Sequence, residues 1–537
     1  MIKNIKFLNL EGKRSSYIFN TFLFFYFIIG LYLSVNTGIT TDELTDQYNW
    51  TISFDAIKYF FGYNTDGYSN LFIYKWKYHG IGFHYFSQIY LLITSLIVEF
   101  EEAPKEISKI LLNHTLIFTT FFLSGIFAKK IVNLLINDKF FSNIFLIFYL
   151  LYPYLLGHGF YNPKDMPFLF VWILSSYTSI KIFLKIYNND KISFLNILSL
   201  SFLTGFLFSI RITGILILMQ YFITFLVTSK NTKVNFYKII KIHYFRISIF
   251  IFLTLIFTII FYPIFWANPL LLIDAIQMMR NTPYSVCTLT LGKCMDALNL
   301  PSSYIFIWLF FKLPLLSFIG LLLFPFIEKK IFSNSKNQII LGSISLTIVS
   351  IIFLLVFFKT NMYDELRHIL FLFPLILIVT YTTIYYFSKK LTIYITFISI
   401  FIFLIQNINM YPYQYTWFNL FSNFINVNNN FEVDYWGVSG RNIAKKINSS
   451  KKLLEHKDKC IYVAPKHIIE PFISSDFNCI KIFHSIYPKS TEKYILVKYM
   501  RNLRRDNPDN CKLIFEENYN LNIFSNNLKL GKVYICN

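Results

Sequence analysis

Four short stretches of the 537-residue chain set acids, bases and histidines against long apolar runs, and each could do chemistry. The first is Thr41–Asp42–Glu43–Leu44–Thr45–Asp46, directly after an apolar run. Adjacent acids cannot face the same way on a helix or strand, so one can enter a cavity while its neighbour orients backbone. A carboxylate at the mouth of a lipid-accessible cleft can take the proton of a hydroxyl. The same residues would equally make a solvated acidic helix cap. The second is Gly157–His158–Gly159–Phe160–Tyr161–Asn162–Pro163–Lys164–Asp165–Met166–Pro167. Pro163 ends or kinks any helix through it, holding Lys164 and Asp165 at a defined point. The third is Arg211, flanked by apolar residues 202–210 and 212–226. Such a charge is costly in hydrocarbon unless paired, either with a substrate phosphate, which a guanidinium grips with several donors, or with an internal carboxylate. The fourth, Lys359–Thr360–Asn361–Met362–Tyr363–Asp364–Glu365–Leu366–Arg367–His368, mixes donors and acids before another apolar run. If it is helical, Asp364 shares a face with His368 and lies three residues before Arg367. That spacing makes a local salt bridge, or lets Arg367 or His368 hold a phosphate. His84, His158 and His368 are too separated to form a known metal pattern, although acids beside a phosphate could recruit a divalent metal ion.

What positions these residues is a membrane. Hydrophobic residues make up 55% of the chain and charged ones only 15%, too little polar surface to cover a soluble core of this length. The first apolar run, 17–35, follows Lys3, Lys6, Lys13 and Arg14 and lacks a small-residue cleavage site, so it reads as an uncleaved first span with its amino end inside. Ten further spans are expected near 111–128, 141–157, 167–185, 193–210, 212–229, 247–266, 303–325, 340–358, 368–387 and 391–405. Counting eleven puts Lys129, Lys130 and Lys139, Lys181, Lys185 and Lys191, the cluster from Lys230 to Arg246, Lys329, Lys330 and Lys336, and Lys389 and Lys390 on the side of the basic amino terminus. Counting the apolar run 81–100 as a twelfth would invert them, so that run is expected to lie in or dip into the outer interface. The formal net charge of +21 then reflects orientation in the membrane, with no nucleic-acid partner implied. Loops 37–110, 158–166, 268–302 and 359–367, with Arg211, share the opposite face, away from the cytoplasm. The expected fold is all-α and polytopic over residues 1–405, in a bacterial inner membrane, followed over 406–537 by a small α/β region that is periplasmic or extracellular. Its strands are expected at 459–464, 478–483 and 494–499, after a helix over 440–456.

All six cysteines, Cys287, Cys294, Cys460, Cys479, Cys511 and Cys536, fall on that outer side. Disulfides are permitted there, with Cys287 and Cys294 a candidate local pair and the tail pairing left open. No Gly-rich nucleotide loop appears, which disfavours a nucleotide donor or an ATP-driven pump.

Taken in order, these blocks resemble the membrane glycosyltransferases of the GT-C fold, in particular the protein O-mannosyltransferase and lipid A aminoarabinose transferase superfamily, glycosyltransferase family 39. The likeness rests on Asp42–Glu43, the block from His158 to Phe168, Tyr363–Asp364–Glu365–Leu366–Arg367–His368, Tyr411–Pro412–Tyr413–Gln414–Tyr415 and Glu432–Val433–Asp434–Tyr435–Trp436–Gly437, and spans residues 17 to 437. It implies a polyprenyl phosphate sugar donor with its tail in the bilayer and a hydroxyl acceptor in a protein, lipid or envelope glycan. It further implies that Asp42 is the base, that Glu43 orients the first loop, and that Asp165 is a second acid. Arg211 would stand near the donor phosphate, helped by Lys164, Arg367 and His368, and the anomeric centre would invert. After residue 440 no motif of the family is recognisable. A transporter or flippase for a lipid-linked or anionic substrate would also be polytopic, but should carry coupling groups deeper in its helices and repeated halves, neither of which the sequence displays. An assembly protein that docks through its tail would need none of these acids.

Overall fold

The computed structural model describes residues 13–96, 104–232, 236–280, 285–483, 493–504, 510–520 and 527–536. Lys3, Lys6, Lys233 and the last four residues of the predicted interfacial run 81–100 lie outside this set. Among the described residues, seven helices are long and apolar enough to cross a membrane: Tyr17–Val35, Lys105–Ile136, Asp165–Tyr187, Ile212–Thr232, Phe236–Ile260, Ser335–Phe357 and Lys389–Met410. Two bent pairs raise the number to nine, and the two remaining predicted spans are the shorter apolar helices Phe194–Ile210 and Leu372–Phe387. The run at 81–100 forms the helix Gly82–Thr94, too short to cross a bilayer, with Phe86, Ile89, Leu92 and Ile93 exposed on one side.

Two predicted continuous spans are broken. The run at 303–325 splits into Tyr304–Lys312 and Leu315–Ile331, bent by 113°, and the run at 141–157 into Lys139–Leu151 and Pro153–Tyr161, bent by 62°. Proline is the cause at each break: Pro314 and Pro153 lack the amide that would continue the ladder and disfavour helical backbone just before them. The carbonyls freed at the breaks find other donors. The Asn419 side-chain amide donates to the Phe310 and Leu313 carbonyls (2.6 and 2.8 Å), and its backbone N–H to Phe311 (2.9 Å). Asn407 donates to Leu151 (2.7 Å), and the Tyr26 hydroxyl to Leu150 (2.6 Å). The segment following the last span thus packs into the helical core, where Tyr415, Trp417, Phe418 and Phe431 are buried.

The tail builds a mixed five-stranded sheet. Its strands are β3 (Ile461–Val463), β4 (Ile480–Ile482), β5 (Tyr494–Tyr499), β6 (Cys511–Asn520) and β7 (Asn527–Cys536), after a separate hairpin of β1 (Cys287–Thr290) and β2 (Lys293–Asp296). The spatial order is β4-β3-β5-β7-β6, parallel among β4, β3 and β5 and antiparallel across β5, β7 and β6. The long β6–β7 pair was not anticipated, since charges interrupt the alternation in β6. The helix Gly440–Ser449 buries Ile443, Ala444 and Ile447 against this sheet. Disulfides join Cys287 to Cys294 as expected, and Cys460 to Cys479 and Cys511 to Cys536.

The tail grips the end of the first span. Arg441 donates to the carbonyls of Val35 and Thr37 (2.8 and 2.9 Å), and the Thr41 N–H to the Trp436 carbonyl (3.2 Å). The close approach needs Gly38, where a Cβ would overlap the Val438 carbonyl, and Gly437, whose φ of +75° favours glycine.

Candidate functional site

The helix Thr41–Phe60 starts the site. Glu43 accepts from the Thr40 N–H (2.7 Å) and meets His114 Nε2 at 2.6 Å, with the other ring nitrogen 3.0 Å from the Thr37 hydroxyl. Glu43 is therefore engaged in fixing the helix start. One position earlier, Asp42 points elsewhere and keeps 44% of its side chain open. Its carboxylate pairs with Arg367 and accepts from the Trp436 indole N–H at 3.3 Å. Burial acts to raise its pKa, but the Arg367 guanidinium, with Lys164 and the indole, holds it below the ordinary carboxylate value. Arg367 stacks over Tyr363 and Trp436, which fixes its plane.

Asp165 is held by the Asn162 side chain, whose Oδ1 accepts from the Asp165 N–H (2.9 Å) and whose Nδ2 donates to the Asp165 carboxylate (3.1 Å). The two residues before the Asp165–Tyr187 helix thus form the turn that Pro163 dictates. Asp165 pairs with Arg211, which sits in extended backbone between two helices. Of the two partners open to Arg211, this structure supplies the internal carboxylate. Lys164 pairs with Asp46 at 2.7 Å.

The stretch 359–368 is not helical, so the condition under which Asp364 and His368 would share a face is not met. Asp364 and Glu365 both adopt left-handed backbone (φ +55° and +64°), and only Arg367–Ile369 forms a turn of 3₁₀ helix. Each such residue stores about 1–3 kcal/mol, of a kind that concentrates at functional sites. The Asp364–Arg367 pair forms all the same, at 3.3 Å, and Asp364 also receives Arg501 from the tail. Burial nevertheless leaves the Asp364 carboxyl above its ordinary pKa. Glu365 turns inward to a pair with Lys312 at 2.9 Å, both side chains fully buried.

Six of the seven sequence-predicted residues, Asp42, Lys164, Asp165, Arg211, Arg367 and His368, come together, while Glu43 faces His114. Arg367 feels both Asp42 and Asp165, Asp42 feels Lys164, and His368 feels Arg211 and Arg367. Asp42, Asp46, Asp165 and Asp364 face Lys164, Arg211, Arg367 and Arg501, so the cluster carries no net charge. A pocket of about 110 Å³ adjoins it. Lys164, Arg211, His79 and His368 line it together with Ile212, Leu216, Leu355 and Phe371. Burial and the surrounding cations push His79 and His368 well below the ordinary histidine pKa, so both rings are neutral near pH 7. Among the described residues, no three His, Cys, Asp or Glu side chains gather to hold a metal ion.

Sequence reasoning missed His79, His114, Lys312, Arg501 and Arg504. Lys312 left a signal, a single cation inside the apolar run 303–325. Arg501 and Arg504 left none, since a basic stretch in the tail does not reveal which acids it meets. No protein-family model, curated protein or solved structure matches the chain.

Proposed function

We propose that the protein is a membrane glycosyltransferase of GT-C type that moves a sugar from a polyprenyl phosphate to an acceptor hydroxyl. The observation that carries this reading is a half-open carboxylate, Asp42, within the electrostatic reach of Lys164, which lines a pocket that joins cations to apolar side chains. A lipid phosphate needs that combination, and a soluble anion would not use the apolar side. The acceptor oxygen attacks the anomeric carbon from the face opposite the phosphate, the carbon–oxygen bond to phosphate breaks, and Asp42 takes the hydroxyl proton. Arg211, Lys164 and Arg367 would meet the charge that collects on the departing phosphate, while His79 and His368, both neutral, can donate hydrogen bonds. The lipid tail limits the orientations of one reactant, which lowers the entropic cost of the encounter. Because the cluster starts neutral, an incoming phosphate must draw a cation from a carboxylate; drawing Arg367 from Asp42 raises the basicity of Asp42 as the donor binds. Three disulfides, one in the β1–β2 hairpin and two in the tail sheet, support an oxidising compartment for these segments and with them a site outside the cytoplasm.

The test is turnover of the purified protein with radiolabelled polyprenyl phosphate sugars and envelope acceptors. Donor-dependent product is expected from the wild type and none from Asp42→Asn. Equal product from both rejects Asp42 as the base.

A further inference from the structure

A second, larger cleft lies at the seam between the tail sheet and the helical part. It encloses about 500 Å³, within the range of small-molecule sites. One wall is the turn Val427–Asn430 and the strand-like residues that follow it; the other is the 3₁₀ segment Met500–Arg504 and strand β7.

Its charges are arranged with a bias. The acids in its wall turn inward and are already satisfied. Glu432 is 3% exposed and pairs with both Arg504 and Arg501. Asp434 accepts from the Tyr415 hydroxyl and from the N–H groups of Gly437, Val438 and Ser439. The cations stay accessible: Arg504 is 31% exposed, Lys529 42% and Lys532 24%, the lysines only loosely held by Glu516 at 3.4 and 3.5 Å. Asn426 and Asn429 are exposed on the opposite wall and offer amides. The cleft therefore presents positive charge and amide groups to whatever enters it.

It is also wired to Asp42. Arg504, Glu432, Arg501, Asp364, Arg367 and Asp42 form one unbroken ladder of alternating charge. The same wall runs from Asp434 to Trp436, whose indole donates to Asp42.

We propose that this cleft binds the acceptor, and that the acceptor is an acidic saccharide, its carboxylate or phosphate on Lys529, Lys532 and Arg504 and its hydroxyls on the asparagines. The assignment of an acceptor rests on the glycosyl-transfer reading; the binding site itself does not. Titration calorimetry on the detergent-solubilised full chain, with trigalacturonate, maltotriose and citrate as probes, tests it. Trigalacturonate should bind at least tenfold more tightly than either comparator, and more weakly as salt rises. Lys529→Gln/Lys532→Gln should weaken it at least tenfold. So should Asn429→Trp, which obstructs the cleft from an exposed turn and leaves every ion pair in place. Asp42→Asn should bind trigalacturonate as the wild type does, so loss of transfer and loss of binding are separable. Maltotriose or citrate binding equally well, or unchanged binding in both cleft variants, overturns the proposal.

Discussion

Lys312→Met isolates the buried charge beneath the candidate site. In the wild type, Lys312 and Glu365 meet at 2.9 Å with neither side chain accessible. Burial raises the pKa of Glu365 in spite of the lysine. Removing one partner of a buried pair costs about 3–5 kcal/mol if the other stays charged. The carboxylate has an escape, however, which is to take a proton. At pH 7 this costs about 1.4 kcal/mol for each unit above an ordinary glutamate pKa of about 4.3, so about 3.7 kcal/mol is the ceiling; at pH 5 it is about 1 kcal/mol. The sign follows from linkage. In the variant the folded state keeps a proton that the unfolded chain releases, so stability falls as pH rises from about 4.3 towards the raised folded pKa. Unfolding in detergent, followed by tryptophan fluorescence at pH 5 and pH 7, should show a loss near 1 kcal/mol at the lower pH and approaching the ceiling at the higher. Lys312→Met/Glu365→Gln should recover most of it. An equal loss at both pH values, or a double variant no better than the single, would refute the reasoning.

Arg211→Gln leaves Asp165 buried without its cation and should cost about 3–5 kcal/mol in the same unfolding assay. Arg211→Gln/Asp165→Asn should restore the stability but not the binding of polyprenyl phosphate, measured by quenching of tryptophan fluorescence. Because Arg367 holds Asp42 below the usual carboxylate range, kcat/KM should stay level down to about pH 4 and fall only below it as the base is protonated. In Arg367→Gln that acid limb should move to higher pH by at least about one unit, and an unmoved limb would dissociate Asp42 from the profile.

Much of the architecture could be read from residue order because hydrocarbon imposes a local rule: a helix inside it must be apolar over its whole length. Each predicted span therefore falls on an apolar helix or a bent pair of them. The bends were readable in principle from Pro153 and Pro314, but a hydropathy run is blind to direction, and the Asn407 and Asn419 amides that make the breaks tolerable come from remote segments. The strands β6 and β7 escaped notice because they are recognised through each other. At the site, Asp42, Lys164, Asp165, Arg211 and Arg367 stood out as charges beside apolar runs, and the structure draws them into one cluster. What the residue types could not supply was the pairing. The residue type leaves Arg211 open to a phosphate or a carboxylate, and only the fold sets Asp165 beside it; nothing in 359–368 foretells that Asp364 is met by Arg501.

The surroundings of Asp42 have a history as well as a geometry. Its guanidinium partner stands 325 residues further along the chain and its indole partner 394, and the second arginine on Asp364 comes later still. Until residue 436 has been made, the acid in the first loop lacks part of the set of groups that tunes it. The surroundings of Asp42 are consequently complete only once the segment after the last apolar helix has been made and has folded back onto the loop made first.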